Sequence, residues 1–229
     1  MKKSAVLFSF GRDYLLVCAA VARLTAAGVS CTVAYDAEAP MPKRVPKAKM
    51  LATNWPRGGN LNGRPAILGI LDTLASVAEK DGSDWVLKVD SDTIPGPDWF
   101  AALDKAPDDL AWHGSYYCIR YAAGACYAFR PAVIPEIRRR IEAYPEVGVH
   151  LPEDLLIFRS VREAGVKYGR LVLGWYDNPN DAAPVDNPAV VTFGGWLDQM
   201  PVDKFPTDAD RRAEIARRML KYKFKRTAR

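Results

Sequence analysis

The sequence predicts an α/β fold, a sheet flanked by helices. Short apolar runs of strand type, such as Ser4 to Phe10 and Trp85 to Val89, alternate with longer stretches of helical spacing. A strand–helix–strand unit is complete by Asp36. Asp36 and Asp90 each close an apolar strand, which is where open α/β sheets gather ligands.

The elements follow in order. Tyr14 to Ala27 has helical spacing and stops at Gly28, and Ser30 to Tyr35 alternates with Val33 and Tyr35 on one side. Ala37 to Arg57 carries Pro40, Pro42, Pro46 and Pro56 with five basic residues, and reads as an extended surface connector. The stretch GGNLNGRPAILGILDTLASVAEKDG follows, with Asn62 as N-cap and Pro65 in the first turn. Ile67, Leu68, Leu71, Leu74, Ala75 and Ala78 give its helix an apolar face that ends near Lys80, and Asp81-Gly82 turns the chain into the strand WVLKVD. PDWFAALDKA is a short helix. Ala111 to Arg130 reads as strand, Gly-containing turn, strand. Pro135 to Tyr144 and Asp154 to Ala164 are helices, and Leu171 to Trp175 is a strand. Tyr176 to Pro188, with three Asp, three Asn and three Pro, is an exposed loop with the character of a lid. The last helix opens with a capping box formed by Thr207 and Asp210.

A length of 229 residues suits one globular domain, and no apolar run is long enough to span a membrane. The first residues lack the long apolar stretch of a secretion signal, so a cytoplasmic protein is expected. Cys18, Cys31, Cys118 and Cys126 form no CxxC pair, and no His stands at zinc-ligand spacing; reduced, buried thiols are expected. From Asp208 onward there are nine Lys/Arg against three Asp/Glu, a net of +6 that leaves −1 for the rest of a chain whose total is +5. Any contact with a polyanion, whether nucleic acid or an anionic membrane surface, is therefore expected through this tail rather than through the body.

The chemistry concentrates in D-S-D, Asp90 and Asp92, at the end of the strand WVLKV. Two carboxylates converging where a strand breaks into a turn repel each other unless a cation sits between them. Hard dications, Mg²⁺ or Mn²⁺, take such oxygens together with those of a diphosphate. Arg64, at the N-terminus of the long helix, suits an anion such as pyrophosphate. Glu153 and Asp154 open a helix after Pro152, where acidic residues favour the helix dipole and where one of them can act as a general base.

Taken in order, Asn60-Leu-Asn62-Gly63-Arg64, Asp90-Ser-Asp92, Pro97-Asp-Trp99, Gly124-Ala-Cys126 and Glu153-Asp154 resemble the GT-A-fold nucleotide-diphosphosugar glycosyltransferases, above all the large inverting family (family-2-like). The likeness covers roughly Ser4 to Gly165 and lies in order and spacing rather than in any one motif. It implies a GT-A-like (Rossmann-like) mixed sheet over residues 1–206. Residues 1–95 would be the nucleotide-sugar half and 96–206 the acceptor half, with 207–229 as a basic helix and tail. It implies a nucleotide-diphosphosugar donor, with a UDP-sugar favoured, and an unidentified acceptor. Asp36 would contact the nucleotide base, Asn62 and Arg64 the nucleotide or its phosphates, Asp90 the ribose or metal, and Asp92 the metal. Asp154 would be the base, ahead of Glu153, in a single inverting displacement whose leaving diphosphate is stabilised by Mn²⁺ or Mg²⁺.

The sequence departs from that family in lacking a His in its C-terminal part: His113 and His150 both come earlier, which leaves Asp177, Asp181, Asp186 or water to complete a metal site. Trp112, Tyr116, Tyr117, Trp175 and Trp196 are candidates for stacking on a sugar or base, or for core packing. A phosphohydrolase that uses the first Asp of D-x-D as nucleophile would carry it near the N-terminus, unlike Asp90. A sugar nucleotidylyltransferase would need a Gly-rich basic loop after the first strand, and FGRDY does not supply one.

Overall fold

A computed structural model describes residues 1–57, 61, 63–116, 123–145, 152–175, 188–193 and 200–224. The strands are β1 (Lys3–Ser9), β2 (Ser30–Asp36), β3 (Ala48–Thr53), β4 (Trp85–Val89), β5 (Thr93–Pro95), β6 (Leu110–Tyr116), β7 (Ala123–Phe129), β8 (Lys167–Trp175) and β9 (Val190–Thr192). The helices are α1 (Tyr14–Ala26), α2 (Arg64–Asp81), α3 (Pro97–Asp104), α4 (Ile134–Ala143), α5 (Glu153–Glu163) and α6 (Asp208–Lys221). The strands form one mixed sheet in the order β3-β2-β1-β4-β7-β6-β8-β9-β5. β1 pairs in parallel with both β2 and β4, and β4 pairs antiparallel with β7.

Side chains alternate between the two faces of a strand, so each central strand feeds two cores. On β1, Ala5 and Leu7 join α1, α3 and α6, while Val6 and Phe8 join α2, α4 and α5. On β4, Trp85, Leu87 and Val89 point to the first core and Val86 to the second. Lys88 shares the parity of Val86, which places a lysine in a core position.

The expected α/β class holds, and the helices and longer strands fall close to where spacing predicts them. Three strands were not foreseen. β3 lies inside the stretch read as an extended connector. It pairs in parallel with β2 from Cys31↔Ala48 to Asp36↔Thr53, so prolines flank a strand rather than replace it. β5 and β9 are three residues each and pair only with each other and with β8; such short runs carry no periodicity to read. The residue before α2 is Gly63, at φ 87°, a left-handed value that favours glycine. Asn62, expected as the cap, lies outside the described residues, as does the loop 176–187.

The expected capping box is present on α6: the Thr207 hydroxyl accepts from the Asp210 N–H, and the Asp210 carboxylate accepts from the Thr207 N–H. The helix is not a free appendage. Ile215, Ala216 and Met219 are buried in the first core beside α1. Arg212 pairs with Asp13 and Asp208, and Arg217 and Arg218 pair with Glu214. Cys18, Cys31 and Cys126 are free thiols, and Cys118 lies outside the described residues. No helix among the described residues is long and apolar enough to cross a membrane.

Truncating Met219 or Ile215 to Ala is expected to cost about 2–5 kcal/mol each in urea denaturation, as for other buried aliphatic side chains. An unchanged denaturation midpoint in both variants would mean that α6 is not docked in solution.

Candidate active site

Leu7 pairs with both Val33 and Val89, so β1, β2 and β4 run in register to one carboxyl edge. Asp36 and Asp90 stand at that edge with β1 between their strands, about 10 Å apart in the pairing direction. The strand break after β4 is fixed by backbone. The Asp90 N–H donates to the Ala125 carbonyl (2.9 Å), and the Asp90 carbonyl accepts the Thr93 N–H (3.1 Å). One turn further, the Asp92 carbonyl accepts the Phe193 N–H (2.9 Å), which ties the second acid to β9.

Asp90 and Asp92 are half-buried but differently compensated. The Asp90 carboxylate is 2.6 Å from the Lys88 ammonium. The described partners of the Asp92 carboxylate are the hydroxyls of Thr93 (3.2 Å) and Thr192 (3.4 Å). Burial, with the charge of Asp90 added, pushes the Asp92 pKa up to about 6. Asp92 therefore has hard oxygen donors facing a neighbouring negative charge, and it fits a dication in chemistry. Among the described residues no cluster of three His, Cys, Asp or Glu completes such a site. His113 does not serve: it packs edge-on to Trp99, 5.1 Å between ring centres, and burial lowers its pKa to about 4. His150, Asp177, Asp181 and Asp186 lie outside the described residues.

The two acids that open α5 are separated by their environments. Glu153 is buried, accepts the Tyr127 hydroxyl and stands 3.3 Å from Lys88. Burial raises its pKa, against the pull of Lys88. Asp154 is half-buried: Oδ2 accepts the Gly124 N–H (3.2 Å) and Oδ1 its neighbour's Leu155 N–H (2.8 Å). One carboxylate is thus tied up inside the protein, and the other stands at the surface, held by backbone donors.

Lys88 was not foreseen as a site residue. Its signal was in the sequence: a charge inside an apolar strand, two residues before Asp90 and so on the same face. Burial works against its ammonium, but Asp90 and Glu153 outweigh that and hold its pKa above the usual range. Arg57 was also missed, and nothing in the connector marks it. It is buried at the carboxyl edge, donating to the Ser9 carbonyl (3.3 Å) and the Thr53 hydroxyl (2.8 Å), with its guanidinium over Trp55. Burial lowers its pKa and the Asp36 carboxylate opposes that shift. Asp36 itself accepts the Glu38 N–H at 2.9 Å. The Arg64 guanidinium donates to the Tyr144 carbonyl, linking α2 to the end of α4.

Of the aromatics, Trp112 is a core residue among Tyr127, Phe129 and Phe158, and Tyr116 lies under Arg170. Tyr117, Trp196 and the Trp175 side chain are outside the described residues.

No protein-family model and no curated protein sequence matches the chain at a significant level. Among solved structures, the fold is similar to a glycosyltransferase involved in glycosylation of the major capsid of PBCV-1. The TM-score is 0.55 at 12% identity, over 97% of this chain and 100% of the other. It is also similar to the galactosyltransferase LgtC in complex with donor and acceptor sugar analogs (TM-score 0.56, 15% identity, 93% and 95% covered). An active-site mutant of LgtC matches at TM-score 0.51 and 14% identity, over 93% and 95% of the chains. At this identity the likeness is one of fold. The chain has a GT-A-type mixed α/β fold, and these neighbours do not support the narrower inverting, family-2-like assignment that the motif order suggests.

The raised pKa of Asp92 has a signed consequence. Below pH 3.8 the group is protonated whether the chain is folded or not; between there and about 6 the unfolded chain ionises while the folded one holds its proton, so stability is lost as pH rises to the folded pKa and the loss is complete above it. Without divalent cations, Asp92→Asn is expected to be more stable than the wild type at pH 8 by up to about 3 kcal/mol, with the gap closing toward pH 4. Thermal melts across pH check this; no gain at pH 8 would mean that the charge is already compensated.

Proposed function

We propose that this protein is a metal-dependent glycosyltransferase that moves a sugar from a nucleoside-diphosphate donor, with UDP favoured, to an acceptor hydroxyl with inversion. The observation that carries the reading is the presence, on a GT-A-type sheet, of an undercompensated acid, Asp92, in the D-S-D turn and of an accessible, backbone-held carboxylate, Asp154, linked to that turn through Gly124, Lys88 and Asp90. Asp90 and Asp92 would hold Mn²⁺ or Mg²⁺. When bound, that ion supplies neutralisation of the charge that develops on a leaving diphosphate.

The chain's own residues account for the rest. Asp36, with Arg57 beside it, stands where a nucleoside would lie along the carboxyl edge. Arg64 opens α2 and would reach a phosphate only by exchanging its Tyr144 partner. Asp154 takes the proton from the acceptor hydroxyl: its carboxylate is accessible, whereas that of Glu153 is buried against Lys88 and Tyr127. A single displacement with that base inverts the anomeric centre.

A thermal-shift screen of nucleoside diphosphates and their sugars, with and without Mn²⁺, tests donor binding. Ligand at a hundred times its Kd stabilises by about 2.7 kcal/mol. Asp92→Ala is expected to abolish the metal-dependent shift. Asp154→Asn is expected to keep it within about twofold in Kd while lowering transfer by 10²-fold or more, about the size of a lost general base. Unimpaired transfer by Asp154→Asn, or a product of retained configuration by NMR, removes the base assignment. Phosphate release from simple phosphomonoesters, with no response to nucleotide sugars, replaces the whole reading by a phosphohydrolase.

A further inference from the structure

Lys88 is 2% exposed, and β4 delivers it into the core lined by Val86, Tyr127 and Phe129. An ammonium has three hydrogens, and three acceptors from three separate segments surround this one. They are Asp90 Oδ1 at 2.6 Å, the Gly124 carbonyl at 2.5 Å, and Glu153 Oε2 at 3.3 Å. A mere countercharge for Asp90 would need only the first. The other two lead toward the proposed base. The N–H of the same Gly124 donates to Asp154 Oδ2 at 3.2 Å, and Glu153 is the residue that precedes Asp154 at the start of α5. The fit is close, since a Cβ on Gly124 would come within 3.4 Å of the Asp154 Cβ.

We propose that Lys88 is a positioning residue that holds the donor-side carboxylate Asp90 and the acceptor-side carboxylate Asp154 in register, through Gly124 on one path and Glu153 on the other. The proposal rests on the glycosyltransferase reading for its catalytic meaning, but its geometry stands without it. The backbone ladder joins β4 to β7, but the start of α5 is held to both strands through side chains, by Glu153 on Lys88 and Tyr127 and by Asp154 on the Gly124 N–H, and displacing a reacting group by about 1 Å can cost 10²-fold in rate. One internal cation touches all three segments.

Neutralising Lys88 alone leaves Glu153 and Asp90 uncompensated, so a structural loss must be separated from a positional one. The comparison is Lys88→Met against Lys88→Met/Glu153→Gln, in full-length protein, with three readouts: thermal stability, hydrogen exchange at the Gly124 amide by NMR, and UDP release from a panel of UDP-sugars with Mn²⁺. The double variant is expected to recover most of the stability lost in the single one. It is expected to keep about tenfold faster exchange at Gly124. Its kcat should stay about tenfold or more below wild type, with the donor KM within about threefold. Recovery of Gly124 protection together with stability would overturn the proposal and leave Lys88 a simple countercharge. Should Lys88→Met not fold, Glu153→Gln decides alone: it keeps the link from Lys88 to Gly124, so Gly124 protection should survive, and its loss overturns the proposal. If wild-type protein responds to no UDP-sugar, the UDP preference falls, and if it responds to no nucleotide sugar of any base the proposed function falls, while the exchange result still decides the role of Lys88.

Discussion

A charged lysine in the middle of a sheet is costly to leave unpaired, because an ion removed from water loses its hydration and regains it only from well-placed partners. The ammonium of Lys88 finds Asp90 at the strand end, the Gly124 carbonyl on the neighbouring strand and Glu153 at the helix opposite. Much of the local architecture follows from that demand. The buried hydroxyl of Tyr127 donates to the other oxygen of Glu153, and the Tyr127 ring lies beneath the Lys88 ammonium, whose nitrogen is 5.7 Å from the ring centre. The first turn of α5 is thereby pinned to the sheet, and Asp154, one residue on, is left at the surface with backbone donors as its anchors.

The two acids of D-S-D illustrate how one motif divides into unlike parts. Asp90 has an internal cation, whereas Asp92 has hydroxyls and a neighbouring negative charge. A carboxylate held in that state is destabilising on its own, and such groups are characteristic of sites where a ligand supplies the missing charge. The cost is borne by surrounding structure. β5 and β9 pair as a short ribbon directly after Asp92, and residues that follow α6 pack at its ends: Phe193 meets the Tyr222 ring, and Phe224 fills the space over Gly96. The basic C-terminal helix thus docks on the body and brings Tyr222 and Phe224 to the ribbon next to Asp92, with several of its arginines matched to Asp13, Asp208 and Glu214.

The sequence by itself determined the α/β class, the long helices, the central strands and the placement of an acidic pair at a strand end, because each rests on local periodicity and capping. The Ile67 to Ala78 face and the Thr207–Asp210 box are read from neighbours a few residues away, and the folded chain keeps them. It also carried, unread, the mark of Lys88, since an alternating strand sends residues 88 and 90 to one face. Only the tertiary structure decided that Ala48 to Thr53 is a strand, because an edge strand between prolines takes its order from β2 rather than from its own pattern. Only the tertiary structure separated Glu153 from Asp154. Adjacent acids in a helix look equivalent in sequence, and the difference between them is made by Lys88, Tyr127 and Gly124, which arrive from strands at least 26 residues away. Charge compensation acts through space, and no window along the chain contains it.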